Sequence, residues 1–393
     1  MDTTDGFRKL VRRLEQETLS DSLEKNFLAG RTNPDALPAL ASAGLLGLTL
    51  PPAYDGGGRD YADLAVVCEE LGRVDLAFQI SVTVHLALTA MTILHWGTER
   101  QRAAWLPPLA RGEPIATFGL TEPGAGSDVA ALRMRARPEP GGYRLNGEKT
   151  WISGANEASL FLLFATHDPA ARHRGITAFI VPRESPGLTT TELTGKLGVR
   201  AGDTGSVVCD DVWVPTENVL GEPGEGFAIA LSALGNGLFT VGAGALGVAV
   251  ACFQSTVAFV RELDRRGIGA GRKQTVQAAI AEMVSGEARA RLLLERAAWL
   301  KNTGKPSAQA TSLAKWTAAT VAYEAAESAL AIRQAYSPPP HHTIERHLQN
   351  IKGSVIYGGT AEIHQVMQAD YAFGVRIERP FRLPLPTAVD LRG

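Results

Sequence analysis

Residues 121–128 read Thr121-Glu122-Pro123-Gly124-Ala125-Gly126-Ser127-Asp128. The proline and the two glycines predict a loop, and the backbone N–H groups and hydroxyls of such a loop are suited to cradle an anionic or carbonyl-bearing ligand. A second run follows and reads Asn146-Gly147-Glu148-Lys149-Thr150-Trp151-Ile152-Ser153. A single Gly or Ser of these runs, taken alone, would indicate only an ordinary loop between strands. The runs are informative because both are complete and occur in this order.

The spacing of apolar residues differs between the middle of the chain and the segments on either side of it. Residues 1–115 have the apolar spacing of helices, residues 116–222 contain short strand-like runs, and residues 223–376 are again helical and rich in Ala and Leu. The pair Asn146-Gly147 predicts a hairpin turn, because both residues tolerate positive φ. Residues 377–393 contain three prolines and predict an extended tail. Helices, then strands, then helices predict an α+β fold rather than repeated βαβ units.

Composition excludes several classes of protein. The chain has 393 residues, of which 45% are apolar and 20% charged, as expected for two or three ordered domains. A net charge of −2 gives no electrostatic reason to expect a nucleic-acid or membrane partner. We expect no membrane-spanning run and no signal peptide. Cys68, Cys209 and Cys252 lie far apart without metal-ligand spacing, which predicts no metal site and a reduced, cytoplasmic protein.

Together the two runs closely resemble acyl-CoA dehydrogenases. The resemblance covers nearly the whole chain and continues through the motifs at residues 106–107, 196–200, 211–215, 218–221, 224–227, 296–300, 356–357 and 359–360. It implies an N-terminal helical domain (residues 1–115), a middle β-barrel domain (116–222) and a C-terminal four-helix bundle (223–376), followed by the tail.

The resemblance also implies that the chain binds FAD, with the flavin ring between barrel and bundle. Leu120 and Thr121 match the positions that bond the pyrimidine edge of the ring. Trp151 matches the indole packed beside the ring, and Ser153 matches the hydroxyl that bonds the hydride-accepting N5. Ser127 matches the position that serves the flavin or thioester phosphates. The remaining positions of the expected cofactor site are Gly126, Ile152, Gly359 and Thr360.

The resemblance implies a substrate site at Ser127, Tyr357 and Gly358, but the expected general base is missing. In this family a glutamate in the sequence Tyr-Glu-Gly-Thr takes the α-proton of an acyl thioester, and its N–H helps to polarise the carbonyl. Here the sequence is Tyr357-Gly358-Gly359-Thr360. Some members carry the glutamate on an earlier helix, and the matching position here is Gly237. Neither position has a carboxylate, so no general base is identified.

Other acid–base residues near the C-terminus are weaker candidates for the missing base. Glu362 matches a position that contacts the flavin side, which favours a structural role. Three histidines titrate in a suitable range, although a lone histidine is more often a surface or satisfied core residue. They are His341, His342 and His364.

Two cofactor-binding motifs of the C-terminal half are eroded. The family's Arg-x-x-Phe-Gly aligns with residues 263–267, where only Arg265 or Arg266 offers a nearby cation. Its Gln-x-x-Gly-Gly, which reaches the FAD pyrophosphate of a neighbouring subunit, aligns with residues 331–335 and is lost. The middle-domain motifs are intact. Because the lost motif residues all lie in the C-terminal half, we favour an enzyme with a changed reaction over an inactive member of the family.

Three interpretations remain open. The first is an FAD-dependent oxidoreductase acting on an acyl thioester of CoA or a carrier protein, similar to the members of polyketide and nonribosomal peptide pathways, some of which oxidise a hydroxyl. The second is a non-catalytic subunit of a heteromeric acyl-CoA dehydrogenase, and the third is a flavin-independent enzyme that reuses the thioester pocket. The electron acceptor is not indicated by the sequence. The family default is a homodimer or homotetramer.

Overall fold

Helices form the N-terminal part of the chain in the computed structural model, which describes residues 3–376. The predicted tail at 377–393 lies outside the described residues. A π-helical segment, Thr83–Ala90, joins α5 to α6. The α-helices that precede the first strand are α1 (Thr3–Leu14), α2 (Leu23–Ala29), α3 (Ala36–Ser42), α4 (Tyr61–Val74), α5 (Leu76–Val82), α6 (Met91–Trp96) and α7 (Glu99–Ala110).

Side-chain caps fix where the longer N-terminal helices begin. The carboxylate of Asp60 accepts the N–H groups of Ala62 and Asp63 at the start of α4. Thr98 and Gln101 form a reciprocal capping box at the start of α7. Each cap satisfies N–H groups that the first helical turn leaves without a partner.

The middle part of the chain is rich in β-structure. Its strands form one sheet with the order β6-β7-β3-β2-β4-β5-β8, and β1 pairs with β4. Strands β4 and β5 are buried along their length, which explains their uninterrupted apolar sequences. The strands are β1 (Ala116–Gly119), β2 (Arg135–Glu139), β3 (Gly142–Ser153), β4 (Leu160–Thr166), β5 (Ile176–Pro182), β6 (Leu188–Glu192), β7 (Thr204–Pro215) and β8 (Val219–Leu220).

The hairpin turn predicted at Asn146-Gly147 is wrong. These residues lie inside β3, where the pairing with β7 shifts register between Leu145 and Gly147. The φ of Gly147 is +140°, so the pair serves a β-bulge. The chain reverses instead between β2 and β3, where Gly141 has a φ of +85°.

The C-terminal part is helical and packs against the N-terminal helices. Glycines bring α4 and α8 into backbone contact, because a Cβ on Gly72 would collide with the carbonyl of Gly244. Together with the sheet-rich middle part, this confirms the predicted α+β fold. The C-terminal helices are α8 (Gly226–Arg265), α9 (Gln274–Asn302), α10 (Ala308–Tyr336), α11 (His342–Ser354) and α12 (Ala361–Ala372).

Two helices are more apolar than the sequence analysis allowed. The helical stretch 76–96 and α8 are both long and apolar enough to cross a membrane by length and composition. Their most apolar windows are 78% and 61% buried inside the protein, as expected for core helices. The three cysteines are free and buried, and burial raises the pKa of each thiol to about 12.

A loop of the middle part connects the sheet to the C-terminal helices. Val199, whose φ is +51°, donates its N–H to Oδ1 of Asn350 on α11 at 2.6 Å. Asn350 in turn donates to the buried carboxylate of Asp75, which also pairs with Arg346 at 3.0 Å. This polar junction fixes α11, and with it the residues that follow α11, against the sheet-rich part.

Candidate active site

A buried ion pair anchors the loop at 121–128 to β3. Nζ of Lys149, which is fully buried, lies 2.6 Å from Oε1 of Glu122 and also donates to the carbonyl of Leu120 at 3.2 Å. Glu122 further accepts the N–H groups of Arg133 and Met134 at 2.5 and 2.9 Å. Every member of this network therefore has a partner. This pair was not predicted from the sequence, although a Lys inside a strand-like run is a signal for it.

Most of the rest of the loop is open to solvent. Glu122 and Ala125 exchange backbone hydrogen bonds and form a tight turn, and Thr121 accepts the N–H of Thr150 on β3 at 2.9 Å. Gly126 and Ser127 are exposed, and nothing lies within 4 Å of a Cβ placed on Gly126. Leu120 is buried at the base of the loop. The loop thus presents small residues and a hydroxyl from a rigid support.

Trp151 departs from the behaviour of a core aromatic residue. Its side chain is 63% exposed and its backbone φ is +59°, a left-handed conformation that is costly for a bulky residue. It lies where the pairing of β3 with β7 shifts register, between Lys149 and Ile152. Ile152 is buried, so the segment is anchored on either side of the indole. Such strain combined with exposure is characteristic of ligand-binding positions.

The π-helical segment Thr83–Ala90 lies between the end of β3 and α8. Val84 lies beside Gly154, directly after Ser153, since a Cβ on this glycine would be 3.9 Å from Cγ2 of Val84. Leu88, four residues later, packs against Gly237, where a Cβ would come within 2.6 Å of Cδ2. The space beside Gly237, one of the two positions at which a base was expected from the sequence, is therefore filled by Leu88.

The turn at 357–360 has two glycines in left-handed conformations at its centre. The φ values of Gly358 and Gly359 are +62° and +83°. A Cβ on Gly358 would lie 3.5 Å from Cδ2 of Leu238 and 3.8 Å from Cε of Lys315, which are ordinary contacts. The space beside this residue is thus lined by an apolar side chain of α8 and an amine of α10.

Tyr357 and Thr360 have structural partners on the two sides of this turn. The hydroxyl of Tyr357 lies 2.6 Å from Oγ of Ser354, and burial raises its pKa. The hydroxyl of Thr360 accepts the N–H of Ile363 at 3.3 Å and caps α12.

Lys315 is the titratable group that the sequence analysis missed. It is 1% exposed, donates from Nζ to the carbonyl of Gly359 at 2.7 Å, and has no ion pair among residues 3–376. Burial lowers the pKa of this amine to about 7. The available signal was a single lysine in the apolar, alanine-rich stretch of α10. Its position beside Gly358 depends on how α10 packs.

The four candidates for a replacement base lie in three environments. His364 is 1% exposed, with one ring nitrogen 2.8 Å from Ser312 and the other 3.2 Å from the carbonyl of Gly358. Burial, with the nearby Lys315, lowers its pKa to about 4. Glu362 is exposed on the first turn of α12. His341 and His342 lie at the start of α11, about 18 Å of helix from its last residue, Ser354, at 1.5 Å per residue.

The eroded motifs offer little free positive charge. Arg265 pairs with Glu262 at 2.8 Å on the surface of α8. Arg333 is occupied by Ser255, whose Oγ lies 2.6 Å from its guanidinium, and by the ring of Phe259. Arg266 follows the end of α8 and is exposed.

Comparison with known proteins gives a consistent result. Residues 1–113, 117–212 and 224–370 match the models of the N-terminal, middle and C-terminal domains of acyl-CoA dehydrogenase. The chain is 34% identical over 332 residues to the mitochondrial short-chain specific acyl-CoA dehydrogenase of Mus musculus, covering 84% of this chain and 81% of that relative.

Two solved structures show the same fold. The prolyl acyl carrier protein oxidase AnaB superposes with a TM-score of 0.90 at 29% identity, covering 95% of this chain and 99% of that one. A glutaryl-CoA dehydrogenase from Mycobacterium smegmatis, in complex with FADH2, superposes with a TM-score of 0.86 at 27% identity and 96% coverage of both chains.

Proposed function

This chain belongs to the acyl-CoA dehydrogenase family, and on that premise we propose that it is an FAD-dependent oxidoreductase acting on an acyl thioester by a reaction other than ordinary α,β-desaturation. One contrast carries the proposal. The strained, exposed Trp151 is retained on β3, while Gly358 stands where the family has its general base.

The residues of the middle part fit a flavin. The exposed loop at Gly126 and Ser127 offers N–H groups and a hydroxyl, and Trp151 offers an indole that is largely exposed. FAD would supply the two-electron acceptor for the oxidation. Thr121, Trp151 and Ser153 would hold its ring, and Leu120 would support them from below. The N–H of Gly358 remains able to bind a thioester carbonyl, because that contact requires only backbone.

The missing carboxylate limits the chemistry of the substrate. Desaturation requires removal of a carbon-bound α-proton. Oxidation of a hydroxyl would instead transfer the hydride of its carbon to FAD and release the O–H proton, which water can accept, so this reaction is compatible with Gly358. The likeness to AnaB supports an acyl group carried on a carrier protein, as in secondary metabolism, with CoA as the other carrier. Exposed apolar residues on α9 and α12, among them Leu292 and Val366, support a homodimer or homotetramer.

We expect the purified protein to contain FAD or to take it up on reconstitution. Its affinity should be lower than is usual in the family, because residues 331–335 no longer match the motif that contacts the pyrophosphate. The absorbance spectrum of the purified and reconstituted chain measures this directly. A colourless protein that binds no FAD at high concentration would contradict the redox function and favour the flavin-independent alternative.

Substitution of Gly358 tests the position of the substrate. Gly358→Glu should confer weak desaturation of a simple acyl thioester while reducing the native reaction, since it adds a carboxylate within reach of the pocket. The left-handed φ of +62° should also cost about 1–2 kcal/mol of stability with any side chain. Rates of both reactions and the urea midpoint are the measurements.

Gly358→Ala is the matched control, because it adds the same backbone strain without the carboxylate. It should lose stability like the Glu variant and gain no desaturation. Full native activity in both variants would show that the substrate does not pass this residue.

A further inference from the structure

Buried side chains hold both carbonyl oxygens of the Gly358–Gly359 turn. Lys315 on α10 donates to Gly359 O at 2.7 Å, and Nε2 of His364 on α12 lies 3.2 Å from Gly358 O. Because a carbonyl only accepts, Nε2 carries the proton and Nδ1 accepts from the hydroxyl of Ser312 at 2.8 Å. Ser312 and Lys315 are one helical turn apart, so one face of α10 supports both contacts.

These contacts determine where the N–H groups of the turn point. In a planar trans peptide the N–H lies opposite the C=O. The N–H of Gly359 therefore faces away from His364, and the N–H of Thr360 faces away from Lys315. Neither they nor the N–H of Gly358 have an acceptor within residues 3–376. Consecutive N–H groups of this kind, at the start of a helix, form a concavity suited to anions.

Lys315 is costly for the stability of the fold. An amine that is 1% exposed and has no ion pair in the described part of the chain loses hydration without compensation from an opposite charge. Burial lowers its pKa to about 7. Leu238 and Val241 of α8 line the same side of Gly358 as the Lys315 side chain, since a Cβ on this glycine would lie within 4 Å of all three. A buried amine without a counter-charge in the described part of the chain, placed beside this turn, points to a role in the site.

We propose that Lys315 is a positioning residue that, by binding Gly359 O, holds the N–H of Thr360 toward the phosphate oxygens of FAD. His364 does the same for the N–H of Gly359. This inference rests on the proposed function, since it takes FAD as the anionic ligand. It concerns the orientation of the turn and assigns Lys315 no contact with the reacting atoms.

The proposal has a pH signature. The protonated amine adds positive charge beside the N–H groups, so anion binding is strongest below a pH of about 7 and weakens as the pH rises through the pKa of Lys315. The other titratable groups of the turn do not change charge there. Burial lowers the pKa of His364 to about 4, that of Tyr357 is raised, and that of Glu362 is lowered by its bonds at the N-terminus of α12.

Titration of the apoprotein with FAD, followed by flavin fluorescence between pH 6 and pH 8.5, tests this role. Lys315→Met should weaken binding roughly five- to tenfold at pH 6, the worth of one orienting hydrogen bond, and should flatten the pH profile. Lys315→Arg should keep more of the affinity and also be flat, because arginine does not lose its proton in this range. Unchanged affinity and an unchanged pH profile in both variants would overturn the proposal.

Lys301→Met is the matched control. Lys301 is also a buried lysine of the bundle, but its Nζ lies 3.1 Å from Oδ1 of Asn236 and over the ring of Tyr61. This variant should lose stability while keeping the pH dependence of FAD binding. Loss of the same pH dependence in Lys301→Met would count against a specific role of Lys315.

A structural readout separates this proposal from the proposed function. If the native chain binds no FAD, the redox function fails, but crystal structures of the native and Lys315→Met apoproteins still test the positioning role. Rotation of the peptide between Gly359 and Thr360 in the variant supports it. An unchanged peptide orientation refutes it, whatever the outcome with FAD.

Discussion

Butyryl-CoA and octanoyl-CoA should be desaturated ~10²–10⁴-fold more slowly by this protein than by a family member with the glutamate in place, the usual contribution of a positioned general base. Gly358 offers no proton acceptor, and Leu88 fills the space beside Gly237. His364 has both ring nitrogens engaged by Ser312 and by the carbonyl of Gly358. The measurement is turnover with an artificial electron acceptor, using FAD-loaded protein.

Exchange of the α-proton in D2O provides the control for this prediction. Exchange requires only proton removal, so a low exchange rate alongside normal binding of the acyl-CoA would assign the defect to the missing base. Brisk desaturation would show that a base is present. Since Lys315 lies beside Gly358, loss of that activity in Lys315→Met at saturating FAD would then identify the amine as the base and contradict a purely positioning role.

Lys149→Met should lower the free energy of unfolding by about 3–5 kcal/mol, because it leaves the buried carboxylate of Glu122 without its counter-charge. Lys149 is fully buried, and Glu122 is 7% exposed. The loop at 121–128 should lose its anchor to β3, so FAD binding should fall with stability. Urea denaturation and FAD titration measure the two effects.

A double variant separates the ion pair from the local packing. Lys149→Met combined with Glu122→Gln removes both charges and should cost less than the single change, although two backbone N–H groups still require the side chain at 122. Glu148→Gln, an exposed change on the same strand, should stay within about 0.5 kcal/mol of the native protein. A single Lys149→Met variant as stable as the Glu148 control would show that the pair contributes nothing.

The sequence was sufficient for the fold class and for the family. The runs at 121–128 and 146–153 are specific because each needs particular residue types in a fixed order, and this order is visible without coordinates. The absence of a carboxylate at Gly358 and Gly237 is equally a property of the sequence. The assigned roles of Trp151 and Ser153 stay predictions, although the exposure and positive φ of Trp151 support a ligand-facing position.

Short sequence patterns were ambiguous where the same backbone conformation occurs in two kinds of structure, such as a turn and a β-bulge. Asn146-Gly147 was predicted as a turn in which both residues have positive φ, but only Gly147 does, the pair lies at a bulge in β3, and the chain turns at Gly141. The apolar length of α8 was also underestimated, because the pattern does not show where a helix ends or how much of it is buried. Strand pairing and helix packing decide both questions.

The surroundings of the candidate site were decided by tertiary structure alone. Lys315 lies 43 residues before Gly358 in the sequence, yet its Cε would touch a Cβ placed on that glycine. Nothing in an alanine-rich helix shows which residue faces a distant turn, nor that the Nδ1 of His364 is bonded by the hydroxyl of Ser312. A pKa depends on burial and on neighbouring charges, and both arise only when α8, α10 and α12 pack together.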